Sequence, residues 1–308
     1  MILCLTPNPA IDRTIILPHL VLGSVHRAQK IIVAAGGKGL NVARSIHTLE
    51  CEPLCMGFAG GYNGRLLADL AENEGLPSAW TWTTSETRTC TILVSQDGDA
   101  TVINEPGNIV STSDWERLQQ DVLAQLSSVG SVCISGSLPP QTLAKDFQGL
   151  LSTLVDSGKR IWVDSSGTAL STALAHPGIN IKVNGDEIGE LLGMEVVDFD
   201  SAKRALNTLG DRGFGAAVIT LGSAGALLAA RDGKWQAQGP PVDAVSTVGS
   251  GDSFLGGLVG ALDAGSDWSK ALCAAVAAGA ANTLQPGGGR FSLQDYEAIR
   301  EQVQIQHW

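Results

Sequence analysis

Asp252 is the residue whose neighbours best equip it for chemistry. It stands in TVGSGDSFLGG, Thr247 to Gly257, where a glycine-rich turn leads into Phe254, Leu255, Leu258, Val259 and Leu262 at helical spacing. The turn thus becomes the amino end of a packed helix, whose free N–H groups attract anions. A γ-phosphate could sit there while Asp252 draws the proton from an attacking hydroxyl, an arrangement suited to phosphoryl transfer. An Asp in this position can also be a plain helix cap, and the motif alone does not choose between the two.

A second glycine cluster, AAGGKGLN from Ala34 to Asn41, limits the kind of phosphate chemistry. It is not a P-loop, because Ile32 holds the first glycine position and Gly39 replaces the Ser or Thr after the lysine. A dinucleotide fingerprint also fails around Asp252, where Phe254 occupies the place of the third glycine. What remains is a glycine pair that lets a ligand approach the backbone, Lys38 as a movable point charge, and Asn41 as a hydrogen-bonding amide one turn into a helix.

The 308 residues are enough for one large α/β domain or two small ones. With 20 basic against 31 acidic residues the net charge is −11, which argues against a nucleic-acid or anionic-membrane surface but leaves room for a local basic pocket. No apolar run reaches membrane-spanning length and the start, MILCLTPNPAIDR, lacks a signal-like pattern, so a cytoplasmic location is expected. Cysteines at 4, 51, 55, 90, 133 and 273 have no framework or zinc spacing and read as reduced, mostly buried thiols. The five histidines are dispersed, and none has the setting of a triad.

Strands and helices that must position these groups alternate along the chain. Strands are expected at Ile2 to Leu5, Pro53 to Phe58, Ser131 to Ser135, Arg160 to Asp164, Asn180 to Val183 and Ala216 to Thr220. Helices are expected at Gly39 to Glu50, Gly64 to Glu74, Ser113 to Leu126, Gln141 to Ser157, Ser201 to Arg212, Asp252 to Ala264 and Trp268 to Thr283. This alternation predicts an α/β fold with a mainly parallel sheet sandwiched by helices. Two segments break the rhythm, Ile11 to Val33 and Trp80 to Ile103, and read as antiparallel strands, the second with a turn around Asp97, Gly98 and Asp99. They are expected to leave the main sheet as a small β lid, whose apolar face a second copy could cover in a homodimer.

The chain resembles the ribokinase-like carbohydrate kinases of the phosphofructokinase B type over nearly its full length. The resemblance rests on TPNPAID at 6–12, GGKGLNVA at 36–43, GFAGGYNG at 57–64, TRTC at 87–90, SGSLPP at 135–140, KVNGDE at 182–187, TLGSAG at 220–225 and TVGSGDS at 247–253. Any one segment is weak; all of them in the family's order are strong. The resemblance implies a single ribokinase-like domain spanning 1–308, with a lid at about 11–33 and 80–103.

By this resemblance Asp12, Gly36, Gly37 and Asn41 hold sugar hydroxyls, and Lys38, Arg88 and Ser137 cradle a phosphate already on the substrate. Asn184 and Glu187 match an Asn-x-x-Glu pattern whose acid organises water around Mg²⁺, while Lys182, Thr220, Gly222 and Gly225 border ATP and Asn282 lies near the adenine. The expected mechanism has Asp252 as base, with the N–H groups of Gly249, Ser250, Gly251 and Asp252 stabilising charge on the γ-phosphoryl oxygens. Ser246, Val248 and Gly287 match a loop that binds K⁺ in related enzymes.

Ser250 stands where the family commonly has Ala, Cys90 where several fructose 1-phosphate kinases carry Asn, and Glu105 precedes Pro106-Gly107 much as in tagatose 6-phosphate kinases. Fructose 1-phosphate is the first expected substrate, with tagatose 6-phosphate and fructose 6-phosphate as alternatives. A regulator that binds sugar phosphate without turnover is a reading of another class, and the intact Asp252, Lys38, Arg88 and Glu187 speak against it. A nucleoside kinase would give Lys38 and Arg88 nothing anionic to bind.

Overall fold

The computed structural model describes residues 1–95, 100–210, 213 and 215–308. The apolar runs form seven parallel strands of one sheet: β1 (Ile2–Thr6), β4 (Pro53–Gly60), β5 (Ser78–Thr83), β8 (Ser131–Ser135), β9 (Arg160–Asp164), β10 (Asn180–Asn184) and β11 (Ala216–Thr220). Three antiparallel strands, β12 (Ala226–Ala230), β13 (Gly233–Gln238) and β14 (Gln304–His307), extend one edge, giving the order β14-β13-β12-β11-β10-β9-β8-β1-β4-β5. A separate sheet, in the order β3-β2-β6-β7, is built from β2 (Ala10–Leu17), β3 (Lys30–Gly36), β6 (Arg88–Ser95) and β7 (Ala100–Asn104).

Strand alternation sends Leu3, Leu5 and Met56 to one face of the main sheet and Ile2, Cys4 and Cys55 to the other. The first face is covered by α3 (Thr112–Gln125), α4 (Ala144–Asp156), α5 (Gly167–Leu174), α6 (Gly185–Leu192) and α7 (Phe199–Leu209), through residues such as Trp115, Phe147, Leu170, Ile188 and Leu206. The second is covered by α1 (Lys38–Thr48), α2 (Gly61–Asn73), α8 (Ser250–Asp263) and α9 (Trp268–Thr283), with α10 (Leu293–Arg300) packed outside α9. The result is the ribokinase-like α/β arrangement: a mostly parallel sheet between helices, with a small sheet apart.

Several boundaries differ from expectation for physical reasons. Trp80 to Thr83 is not part of the small sheet; it lies in β5, paired in parallel with β4 across α2, where Trp80 packs on the helix-covered core. The two excursions are not wholly antiparallel either: β2 pairs antiparallel with β3 and β6 with β7, but β2 and β6 run parallel, with Asp12 opposite Cys90. The β4–α2–β5 unit between them is the crossover that parallel pairing needs. The turn expected at Asp97, Gly98 and Asp99, and Arg212 at the end of an expected helix, lie outside the described residues. Helix α4 starts at Ala144 rather than Gln141, whose φ of 60° puts it in the left-handed region.

Beside β1 the sheet order reverses direction, with β4 and β5 on one side and β8 to β11 on the other. In such sheets the crevice beyond the carboxyl ends of the two strands at the reversal is where ligands bind. The turn after β8, the end of β9 and the amino ends of α1 and α8 all reach this crevice.

Candidate active site

Asp252 sits in the first turn of α8, and Gly249 at its N-cap has a φ of 78°. A Cβ on Gly249 would lie 2.3 Å from Gly288 Cα, so this turn requires glycine for both conformation and space. The backbone N–H of Ser253 donates to Gly249 O at 2.8 Å, leaving the Gly251 and Asp252 N–H groups ahead of the helical ladder. Ser250 departs from expectation here: its N–H closes the turn on Thr247 O at 3.2 Å.

The Asp252 carboxylate is buried, and Asn41 Nδ2 donates to its Oδ2 at 2.8 Å. Burial and the negative charge of Asp164 push its pKa up, against Lys38, Lys182 and the Asn41 hydrogen bond. A buried, partly restrained carboxylate at a helix amino end is equipped to take a proton.

Asp164, at the end of β9, was not among the expected site residues. It is fully buried, accepts from Lys182 Nζ at 3.0 Å and faces Lys38 Nζ at 3.6 Å. Burial opposes its ionisation, but Lys182 and Lys38 outweigh burial and hold its pKa low. Its charge in turn raises the pKa of Lys38, whose Nζ also lies 3.6 Å from Glu187 Oε1. Lys38 therefore bridges toward the side expected for nucleotide, not only toward a substrate phosphate. The sequence carried a signal for Asp164: an acid ending an otherwise apolar strand, WVD.

On the other side of the crevice, Asp12 lies on β2 and Arg88 at the start of β6. Burial raises the Asp12 carboxyl to about 6, with Arg44 and Arg88 opposing the rise. A Cβ on Gly36 would fall 2.2 Å from Asp12 Oδ1, so the glycine gives the carboxylate its place. Arg88 donates through Nη1 to Glu105 O at 2.9 Å and through Nη2 to Asn8 O at 3.0 Å, while its buried Nε has no hydrogen-bond partner. Asn8, another residue that sequence reasoning passed over, joins these groups by donating to Ser137 Oγ at 3.2 Å. Gly37 caps α1 with a φ of 119°.

Asn184 caps α6 reciprocally with Glu187: Asn184 Oδ1 accepts from Glu187 N at 2.8 Å and Glu187 Oε2 from Asn184 N at 2.9 Å. Glu187 thus has a structural role as a capping acid, while its Oε1 faces Lys38. Thr220 ends β11 and its hydroxyl donates to Val183 O at 3.4 Å, with Gly222 and Gly225 in the turn that follows. Lys182 is buried against Asp164 rather than lining an open cleft.

Asn282 does not have the setting expected of a residue beside a base. It is fully buried on α9; its Oδ1 accepts from Ser253 Oγ and Arg290 N, each at 3.0 Å, and its Nδ2 donates to Val248 O at 2.8 Å. Its amide is committed to fastening two loops. Those loops carry Ser246, Val248 and Gly287: Ser246 N donates to Thr283 O at 3.1 Å, and Gly287 has a φ of 106°. The Val248 carbonyl, one expected cation ligand, already accepts the Asn282 bond.

Residues 6–295 match the pfkB family of carbohydrate kinases. The 1-phosphofructokinase of Escherichia coli (strain K12) is 33% identical over 255 residues, covering 83% of this chain and 82% of that protein. Structures of phosphofructokinase-2 from Escherichia coli superpose closely: its tetrameric inhibited form with a TM-score of 0.91 and 31% identity, over 97% of this chain and 98% of that one. Its complex with potassium gives 0.91 and 31%, over 98% of both chains. Its complex with fructose-6-phosphate gives 0.88 and 29%, over 97% of this chain and 98% of that one. With its fold, its crevice and these likenesses in agreement, the chain belongs to the pfkB family of carbohydrate kinases and is an ATP-dependent sugar kinase.

Proposed function

We propose that this kinase phosphorylates a ketohexose phosphate, with fructose 1-phosphate giving fructose 1,6-bisphosphate as its principal reaction. The observation that carries the reading is the buried Asp252 carboxylate at the amino end of α8, with the Lys38, Lys182 and Asp164 charges acting on it and with Asp12, which feels both Asp252 and Arg88, between it and Arg88. The likeness to a 1-phosphofructokinase supports the choice of substrate. Fructose 6-phosphate is the second reading, supported by the structural likeness to phosphofructokinase-2 with that ligand; tagatose 6-phosphate is a third.

In this reading Asp12, Asn41 and the Gly36-Gly37 backbone hold sugar hydroxyls, and Arg88 with Ser137 takes the phosphate already present. Arg88 supplies a charge-assisted fork. The free primary hydroxyl lies beside Asp252, so its oxygen attacks the γ-phosphorus as its proton passes to the carboxylate and the bond to the departing ADP oxygen breaks. N–H groups of Gly249, Gly251 and Asp252 stabilise the charge that grows on the transferred group, while that of Ser250 closes the turn on Thr247 O. Lys38 stands between the two anionic partners and follows that charge.

ATP, in this reading, borders Asn184, Thr220, Gly222 and Gly225, and Lys182 acts on the site through its ion pair with Asp164. Among the described residues no group of three or more His, Cys, Asp or Glu could hold a metal unaided. Mg²⁺ would keep waters and phosphate oxygens as its main ligands, with Glu187 and Asp164 as the nearby acids; Asp164 Oδ1 is buried, makes no hydrogen bond and faces the Lys38 ammonium at 3.6 Å. The ion lowers repulsion among the phosphates when bound. Potassium near Ser246, Val248 and Gly287 is supported by the likeness to a potassium complex.

We also read the small sheet as a lid and as the dimer surface, because Leu22, Val25, Ile31, Ile32, Val102 and Ile103 are exposed on or beside it. The six free cysteines support a cytoplasmic location, where thiols stay reduced. Among the described residues no helix is long and apolar enough to cross a membrane. The functional test is ADP formation from Mg²⁺-ATP across hexose phosphates, pentose phosphates, free sugars and nucleosides. Preference for fructose 1-phosphate supports the first reading; preference for another hexose phosphate replaces it, and binding without ADP formation indicates a regulator.

A further inference from the structure

Behind Asp252 lies a chain of buried polar contacts that the phosphoryl-transfer reading does not use. Asn41 donates to Asp252 through Nδ2, and its own Oδ1 accepts from Arg44 Nη1 at 2.8 Å. Arg44 lies three residues further along α1 on the same side of the helix and is buried. Its Nε donates to Glu74 Oε2, and its Nη2 donates to Glu74 Oε1 at 3.1 Å and to Ala35 O. Glu74, at the C-cap of α2, is also reached by Arg290 Nη2 at 3.1 Å.

This pattern has a direction. A carboxamide is nearly symmetrical in shape, so packing alone does not decide which end faces Asp252. A guanidinium can only donate, so the group facing Arg44 must be the Asn41 oxygen, and the NH₂ is forced toward Asp252. A turned amide would set its oxygen against the carboxylate and withdraw a donor from the charged form. With the NH₂ on Oδ2, Asp252 Oδ1 is the oxygen left to receive the proton. Glu74 makes the arrangement durable, because its paired oxygens fix the plane of the guanidinium and balance its charge.

We infer that Arg44, clamped by Glu74, is a positioning residue for the kinase reaction: it fixes the Asn41 amide and, through it, the oxygen of Asp252 that takes the proton. The same guanidinium holds Ala35 O at the end of β3, next to Gly36, so one side chain aligns the base and the sugar-contacting edge. The inference rests on Asp252 being the base.

The test is a double-mutant cycle between Arg44 and Asn41, read as kcat and as the acidic limb of its pH profile. Charged groups facing Asp252 are Lys38 from α1, Asp164 from β9, Lys182 from β10 and Asp12 from β2; all stay in place in every variant. Arg44→Lys keeps the charge but loses the fork, so kcat should fall about 10–100-fold, as for other supporting groups, with KM for ATP within about threefold. Losing an oriented donor favours protonated Asp252, so the acidic limb should move up, by about one unit. In the Asn41→Ala background there is no amide to orient, and Arg44→Lys should move the limb no further. Glu74→Gln should move it in the same direction and serves if Arg44→Lys does not fold. An unmoved limb in the single variants, or an equal added shift in the Asn41→Ala background, overturns the inference. Asp252→Asn separates the two questions: activity retained there defeats the base assignment itself, whatever the cycle shows.

Discussion

Replacing Asp12 by asparagine should make the ligand-free protein more stable at neutral pH while weakening its hold on the sugar. Burial raises this carboxyl from its ordinary 3.8 to about 6, so the folded state binds the proton more tightly than the unfolded chain does. The sign follows from linkage. Nothing is lost while both states are protonated; stability then declines as pH rises through the interval between the two values and levels off above the folded one. A two-unit displacement at about 1.4 kcal/mol per unit gives a penalty of about 3 kcal/mol near pH 7.5, and about half of that near pH 5. These are upper figures, since water reaching the carboxyl reduces them. Asparagine keeps the shape and removes the titration, so the stability difference between the Asp12→Asn variant and its parent should roughly double between the two pH values in urea unfolding. A variant less stable than the parent at both, or a difference that does not change with pH, would refute the argument. In the same protein KM for the sugar phosphate should rise at least about tenfold, because a charged acceptor for hydroxyls is gone.

Three further outcomes are expected. Asp252→Asn should lower turnover by several orders of magnitude while calorimetry shows nucleotide binding largely intact, and activity within about tenfold of the parent would defeat its role as base. Arg88→Ala should weaken use of a phosphorylated sugar by about 2–4 kcal/mol with little change on free fructose; equal losses on both would make Arg88 a strut between Asn8 and Glu105. Hydrogen exchange in β2, β3, β6 and β7 should slow on adding sugar phosphate and change little with nucleotide alone, whereas full protection in the free protein would show a preformed pocket.

Much of this was legible in the sequence because parallel strands buried on both faces write themselves as short apolar runs, and glycine-rich turns before helices mark anion sites. The Asp252 turn and the Lys38 turn are local patterns of this kind, whereas Asn184 and Glu187 were singled out by the family resemblance and their reciprocal cap came from the structure. Asp164 and Arg44 were harder to find because each gains meaning only from partners distant in sequence, Lys38 and Lys182 for one and Glu74 for the other. The setting of Asn282 was equally hidden: the resemblance assigns it a place near the adenine, and only the fold shows its amide bonded to Ser253, Val248 and Arg290. Trp80 to Thr83 was misplaced because a half-buried edge strand alternates much as a lid strand does.

The parallel register of β2 and β6 constrains how the molecule comes into being. Ala10 aligns with Arg88 and Asp12 with Cys90, so the two strands must find each other across the intervening β4–α2–β5 segment. Their ends cannot meet until that segment has been laid into the main sheet, since only then does the chain return to the right place, and closing so long a loop is slow. A slip of one residue would turn Asp12 or Arg88 to the opposite face. The edge that carries Asp12 and Arg88 should therefore mature only after β4, α2 and β5 have joined the main sheet, while Asp252, which meets Asn41 across 211 residues, closes a longer loop still.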